Sequence, residues 1–456
     1  MPAHVSELEE YAQRIEVLAR SLGLDYYPVD FEMAPASLMT EIAVYGLPVR
    51  MPHWSFGVRY IHQLVRQSMG HSKIFEVMFP GDPCRAFLMD GNSLAENTLV
   101  TAHVLGHADF AKNNQLFARF HSMAGGNIVE KAAAHAHRIQ LSIEAQGLER
   151  VEGVLDAALA LESHLDVEGE LHRARYPEFV ADKPKLKESP FHQRFKQLPG
   201  AGEPAPAASG PLRTKVPPHP EYDLLWFIAN YAPELEQWER DIFLMVRAES
   251  LYFYPVFACQ IMNEGWASYW HARLLREAEF LPQPLYLSAI KAHSDVVRPF
   301  ASGEQTALGI NPYHLGFTIW EKIVDKHGLE RAREVRREED DFGFIRNWLD
   351  EELATESGLF VYEARPGDEI RVATKDLNAI REAILAPKFN FGAPRVAAVE
   401  LKNDGSLTLA HDHGSDGRGL DVARAKKVVD YVRRVWRRPV HLLTVNERAE
   451  KVEIAA

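Results

Sequence analysis

Apolar positions follow two different rhythms along the chain. From residue 5 to about 345 they recur every three or four residues, the spacing that gives a helix one buried face, and from about Gly358 they fall into short runs separated by turns. The first rhythm predicts helices over 5–22, 59–66, 94–110, 128–146, 223–232, 235–254, 285–297 and 317–327. It leaves 24–57 as a Pro- and Gly-punctuated loop region around a short helix, 150–175 as acidic helix and 329–345 as a charged, solvated helix. Lys73 to Met78 and Ala86 to Met89 read as a pair of strands joined through Pro80-Gly81-Asp82-Pro83. The second rhythm (LFVYEA, IRVAT, RVAAVEL, SLTLAHD, VHLLTV) predicts strands alternating with helices over 377–386 and 421–437. The expected fold is a mainly α-helical N-terminal and central domain, residues 1–355, for which a zincin-like arrangement is one form, followed by a small α+β C-terminal domain, residues 356–456. Residues 180–222, dense in Pro, Gly, Ala and Lys and without periodicity, read as an insertion within the helical domain.

Two stretches break the apolar pattern in a way that demands a partner. The run from Leu251 to Leu275 holds a single acid, Glu264, and a single imidazole, His271; seven residues apart at ~100° each, they share one face of a helix. Burying an unpaired carboxylate costs several kcal/mol, so Glu264 requires a cation, a metal or strong donors opposite it. The helix from Leu94 to about Phe110 carries Glu96, His103 and His107 along one line of its surface. Together these five residues form a candidate metal site between helices 94–110 and 256–275. Three to four nitrogen and oxygen ligands suit zinc, and two Glu with three His also suit iron or manganese. The plainer reading makes them hydrogen-bonded core residues, with Glu264 paired to Arg247 or Arg138. His135 is a further candidate ligand, and Asn311, Tyr313 and His314 form a polar loop at a helix mouth that could orient a substrate.

Composition narrows the function classes. A net charge of −13 excludes a general nucleic-acid binder, which needs a basic surface. The one concentrated basic stretch, Arg424, Lys426, Lys427, Arg433, Arg434, Arg437 and Arg438, reads as a solvated face or a docking surface for an acidic partner. Two cysteines are too few for a disulfide framework, and the N-terminal helix has no signal-peptide core, which points to a cytoplasmic protein. The most apolar stretch carries Glu264 and many polar groups, so no membrane span is expected.

The stretches ENTLVTAHVLGHADFAKNN, YAPELEQWERDIFLMVRAESLYFYP, QIMNEGWASYWH, NPYHLGF, LTLAHDHGSDGRGLD and RRPVHLLT, in that order, resemble the SpoVR family, the stage V sporulation protein R-like proteins. The resemblance implies an intracellular protein linked to spore cortex formation or stress responses, working beside a serine protein kinase of the PrkA type and a von Willebrand A-like protein. It implies no particular chemistry. His103-Val-Leu-Gly-His107 has the His spacing of the zincin HExxH helix with Val104 in place of its Glu, and Glu264-Gly-Trp-Ala resembles the helix that supplies the third ligand in some Glu-zincin peptidases. The expected function is therefore a metal-dependent hydrolase of amide bonds. The alternatives are a non-catalytic regulatory adaptor in a kinase complex and, third, a helical oxygenase with a metal pair.

Overall fold

Helix Leu94–Asn113 has no polar face because it has no solvent to face: Ala95 and every residue from Asn97 to Ala111 are buried. Its two threonines return their hydroxyls to the carbonyls one turn back, Thr98 to Leu94 at 2.7 Å and Thr101 to Asn97 at 2.9 Å. Ser93 and Glu96 close its start as a reciprocal capping box. This helix is the centre of the first of two compact units seen in a computed structural model, which describes residues 3–47, 49–68, 76–124, 127–176, 215–298, 311–365 and 369–456. The first unit comprises Met1–Gln140 with Glu249–Gly392, and the second Leu141–Ala248 with Ala393–Ala456. The chain is mainly helical, as the periodicity predicts, with a small sheet domain at its C-terminal end.

In the first unit, strand Cys84–Met89 is the middle of a three-stranded sheet, antiparallel to Glu76–Phe79 and parallel to Val29–Ala34. The expected pair of strands is present; the parallel one falls in the region read as loop, where Pro28 and Pro35 bracket a run too short to declare itself. Glu76 lies on this strand, and its carboxylate approaches His103 of helix 94–113.

Helix Gln260–Glu277 packs against helix 94–113 on one side and Pro312–Glu338 on the other, and glycines set both distances. A Cβ on Gly106 would lie 2.7 Å from Ala267 Cα, and one on Gly265 would lie 2.2 Å from the Gly316 carbonyl carbon. The start of helix 260–277 is fixed by Asp341, fully buried, which accepts from Ile261 N and Met262 N at 2.9 Å each and pairs with Lys388 Nζ at 2.9 Å. Asp341→Ala removes the cap and leaves the Lys388 ammonium buried; a loss of about 3–5 kcal/mol in urea unfolding is expected, and a loss below about 1 kcal/mol would show that the N-terminus is held by packing alone.

The stretch expected as a solvated helix is partly drawn inward. Arg336 is buried and pairs with Asp109, whose carboxylate also accepts from Trp266 Nε1 at 2.8 Å and Asp25 N at 2.8 Å. Helix 312–338 is interrupted at Gly328, where φ is 83°. Among the described residues no single helix is long and apolar enough to cross a membrane.

The second unit carries a four-stranded sheet, Val396–Leu401, Leu407–His411, Val440–Val445 and Lys451–Ala455 in that order, with only the central pair parallel. The last strand had no counterpart in the sequence pattern. Helix Val422–Trp436 makes the crossover between the parallel strands and packs on helix Leu148–Ala160. Two of the seven basic residues expected on its surface are used internally: Arg437 binds the buried Glu239 carboxylate at 2.5 Å and Arg438 pairs with Glu234. Of the expected insertion at 180–222, residues 180–214 lie outside the described residues, and Val216 and Glu221 hydrogen-bond along strand 396–401.

Candidate metal centre

His103 and His107 stand one helical turn apart on helix 94–113, their ring centroids separated by 4.5 Å. Each ring has its Nδ1 engaged from behind. His107 Nδ1 donates to Asn263 Oδ1 at 2.9 Å, which leaves Nε2 as the lone-pair nitrogen, and His103 Nδ1 meets His271 Nδ1 at 2.9 Å. Both Nε2 atoms consequently face the same point, and two carboxylates meet them there. Glu264 Oε2 lies 3.6 Å from His103 Nε2 and 3.5 Å from His107 Nε2, and Glu76 Oε1 lies 3.8 Å from His103 Nε2.

These separations are too long for hydrogen bonds. Among the described residues, His103 Nε2 and Glu264 Oε2 are buried with no hydrogen-bond partner. They suit corners of a shared polyhedron: around an ion bound at ~2.0–2.2 Å, tetrahedral ligand atoms stand roughly 3.3–3.6 Å apart. Ligand atoms of Glu76, His103 and His107 all lie within 4.8 Å of one another. Among the described residues Glu264 has no Arg or Lys partner; Arg247 pairs instead with Asp223.

The electrostatics follow from crowding four ionisable groups out of water. Burial and the neighbouring His107 push His103 down to about 4. Burial works against the charged form of Glu264, but His107 and His103 outweigh it and hold its carboxyl below the usual range; Glu264 in turn outweighs burial at His107 and raises it. Burial pushes Glu76 up to about 7. In metal-free protein, folded Glu76 therefore keeps its proton while the unfolded chain loses it, so its contribution to stability is complete below about pH 4.5 and lost as pH rises to about 7. Glu76→Gln, which mimics the protonated form, should gain on wild type by about 1–3 kcal/mol between those limits in urea titrations of the metal-free protein. A pH-independent difference would place Glu76 in solvent.

The other expected ligands lie around this cluster. His271 shares the face of Glu264 as its spacing requires, but sits behind His103, and its Nε2 meets His293 Nδ1 at 2.5 Å. Glu96 caps its own helix and lines a cavity of about 380 Å³ that reaches the cluster along Glu76, His103, His271 and Tyr313. Tyr313 stacks over His103 with centroids 6.1 Å apart, and the Glu264 charge, with burial, drives its phenol well above the usual range. Its neighbours in the expected polar loop are structural: Asn311 caps helix 312–338 and His314 contacts Val297 O at 3.1 Å. His135 is engaged elsewhere, with the fully buried Glu249 at 3.0 Å, which also binds Arg50. His411, at the end of strand Leu407–His411, is buried between Thr444 and Asp416 at 3.0 and 2.8 Å.

Sequence reasoning missed Glu76. Its signal was present and of the same kind as that of Glu264, a lone acid inside the apolar run Ile74 to Phe79.

Residues 3–392 match the family described as SpoVR like protein, and residues 395–447 match the SpoVR-like C-terminal domain. The chain is 28% identical over 488 aligned positions to an uncharacterized protein of Escherichia coli (strain K12), YcgB, an alignment spanning 96% of this chain and 92% of that one. No solved structure matches it. With two consecutive family regions spanning helix, sheet and candidate centre alike, the chain belongs to the SpoVR family.

Proposed function

We propose that this protein is a metal-dependent hydrolase of amide bonds, in which His103, His107 and Glu264 hold one divalent transition metal, zinc first and iron or manganese as the alternatives. The observation that carries the reading is a pair of buried atoms, His103 Nε2 and Glu264 Oε2, for which the described residues offer no hydrogen-bond partner, with His107 Nε2 3.5 Å from the same carboxylate oxygen. His and His on one helix and Glu on a later one is the ligand order of zincin-like peptidases. Such an ion polarises a carbonyl and lowers the pKa of a bound water.

The chain's own groups supply the rest. Val104 occupies the place of the usual HExxH glutamate, and Glu76 acts as base in its stead. Of the two carboxylates at the cluster, Glu76 is the one that lines the cavity, so it is placed to accept a proton from water beside a bound substrate. Tyr313, on the same cavity wall, offers its phenolic O–H to the oxygen on which negative charge develops. Asn263 and His271 orient the two ligand imidazoles through their Nδ1 atoms. Glu96 forms part of the cavity wall. A role in spore cortex formation or stress response, in the cytoplasm and beside a serine protein kinase of the PrkA type and a von Willebrand A-like protein, is supported by family membership alone, as is the adaptor alternative.

The test is turnover of a peptide and N-acyl amide library, read by mass spectrometry, with metal-loaded protein. Cleavage that a chelator stops is expected, and Glu76→Gln should keep its metal while losing about 10²–10⁴ of the rate. Fully loaded protein that cleaves no amide, or a Glu76→Gln variant at the wild-type rate, would overturn the assignment.

A further inference from the structure

The series of imidazoles behind the cluster does not end at His271. Helix Gln283–Val296 packs against helices 94–113 and 260–277, and His293 follows its buried Ala289 by four positions, which puts both on the inward face. His293 Nδ1 lies 2.5 Å from His271 Nε2, and His271 Nδ1 lies 2.9 Å from His103 Nδ1. Phe317 stands edge-on to the outer ring, with centroids 5.3 Å apart. Burial keeps all three rings neutral at pH 7, pushing His103 and His293 down to about 4 and His271 well below its usual value. Each ring therefore carries one N–H.

A nitrogen–nitrogen contact this short holds one proton, because two N–H groups would collide and two lone pairs would repel. Two of the three ring protons are thus committed to the two contacts, and the third stands at one end of the series, on His293 Nε2 or on His103 Nε2. With the proton on His293, His103 Nδ1 donates to His271, His271 Nε2 donates to His293 Nδ1, and the His103 Nε2 lone pair faces the cluster. With the proton on His103, every bond in the series reverses and that lone pair is lost. Hydrogen-bond accounting selects the first arrangement, since an N–H at His103 Nε2 would be buried with Glu264 and Glu76 beyond bonding reach at 3.6 and 3.8 Å. His271 is fully buried, and among the described residues its Nε2 has no partner besides His293. We propose that His293 is a positioning residue of the centre: by accepting from His271 Nε2 it fixes the ring protons of His271 and His103 in the arrangement that leaves His103 Nε2 open to an ion. The proposal rests on the reading of His103 as a ligand.

His293→Leu and His293→Asn test this in the full-length protein. Leucine removes the acceptor, so that one buried N–H is orphaned in either direction and the carboxylates beside His103 Nε2 draw the proton there. Asparagine offers Oδ1 in the place of Nδ1 and should preserve the series. The ring-nitrogen chemical shifts of metal-free protein, isotope-labelled in its histidines and assigned by single substitutions, separate N–H from lone-pair nitrogens. His271 Nε2 should be N–H in wild type and in His293→Asn, and a lone-pair nitrogen in His293→Leu. Zinc affinity, read by chelator competition, should fall about tenfold in His293→Leu and stay within about threefold of wild type in His293→Asn. A lone-pair His271 Nε2 in wild type, the same tautomer in all three proteins, or equal loss of affinity in both variants overturns the proposal, the last by reducing His293 to packing. A wild type that binds no zinc while its ring nitrogens respond as stated would overturn the ligand role of His103 and uphold the series.

Discussion

Purified protein should retain about one equivalent of transition metal, and His103→Ala, His107→Ala and Glu264→Gln should each strip it. Among the described residues neither His103 Nε2 nor Glu264 Oε2 finds a hydrogen-bond partner, and an ion shared between them would satisfy both. Losing an orienting partner, through Asn263→Ala or His271→Ala, should weaken binding about 10–100-fold, and losing a ligand should cost more than that. Elemental analysis together with competition against a chromogenic chelator measures both effects. Glu76→Gln belongs in the same series as the discriminating member, because it should keep its metal. Stoichiometric metal in the His103→Ala/Glu264→Gln double variant would sink the centre. Loss of metal in Glu76→Gln would instead make Glu76 a ligand and vacate the role of base.

The second large effect is expected from single methyl groups. Alanine in place of glycine inside a helix normally stabilises by about 0.5–1 kcal/mol. Gly153, within helix 148–160 and with nothing within 4 Å of its would-be Cβ, should behave that way. At Gly265 and Gly316 the sign reverses, because the new Cβ would stand 2.2 Å from the Gly316 carbonyl carbon in one case and 2.1 Å from Ile261 O in the other, and the obstacle is backbone that no rotamer can move. Each should cost about 3 kcal/mol or more, read by urea or thermal unfolding. Gly106→Ala pushes helix 94–113 away from Ala267 and so separates the His pair from Glu264; its metal affinity should fall along with its stability. A Gly265→Ala protein as stable as wild type would show that the helices are free to spread.

Sequence pattern exposed the helices and the candidate residues between them because both rest on local rules. The helix at 94–113 and the one at 260–277 were legible as apolar runs with isolated polar residues, and Glu264, His103 and His107 were legible as those residues. What spacing could not give was depth. His271 satisfies the same face rule as Glu264, yet a face has an edge and a centre, and the Nδ1 of His103 claims His271 before the cluster does. Glu96 also lies on the correct line, but at the first turn of its helix the free N–H of Ser93 competes for its carboxylate. Glu76 carried the same lone-acid signal as Glu264, but its contact with His103 is made from a strand to a helix, so nothing in its own run tied it to the histidines. The pairing of residues 141–248 with 393–456 was equally invisible, since it depends on apolar surfaces such as those of helices 148–160 and 422–436 meeting from distant parts of the chain.

The discontinuity of the first unit bears on how the protein is made. His107 and Asn263 are separated by 156 positions, and the intervening chain includes residues 141–248 of the other unit. During synthesis the two imidazoles leave the ribosome long before the carboxylate that completes their set, and helix 260–277 gains its cap only when Asp341 has followed. On the proposed reading, the histidine pair alone would hold an ion weakly, and metal capture would be a late event that follows the synthesis of Asp341.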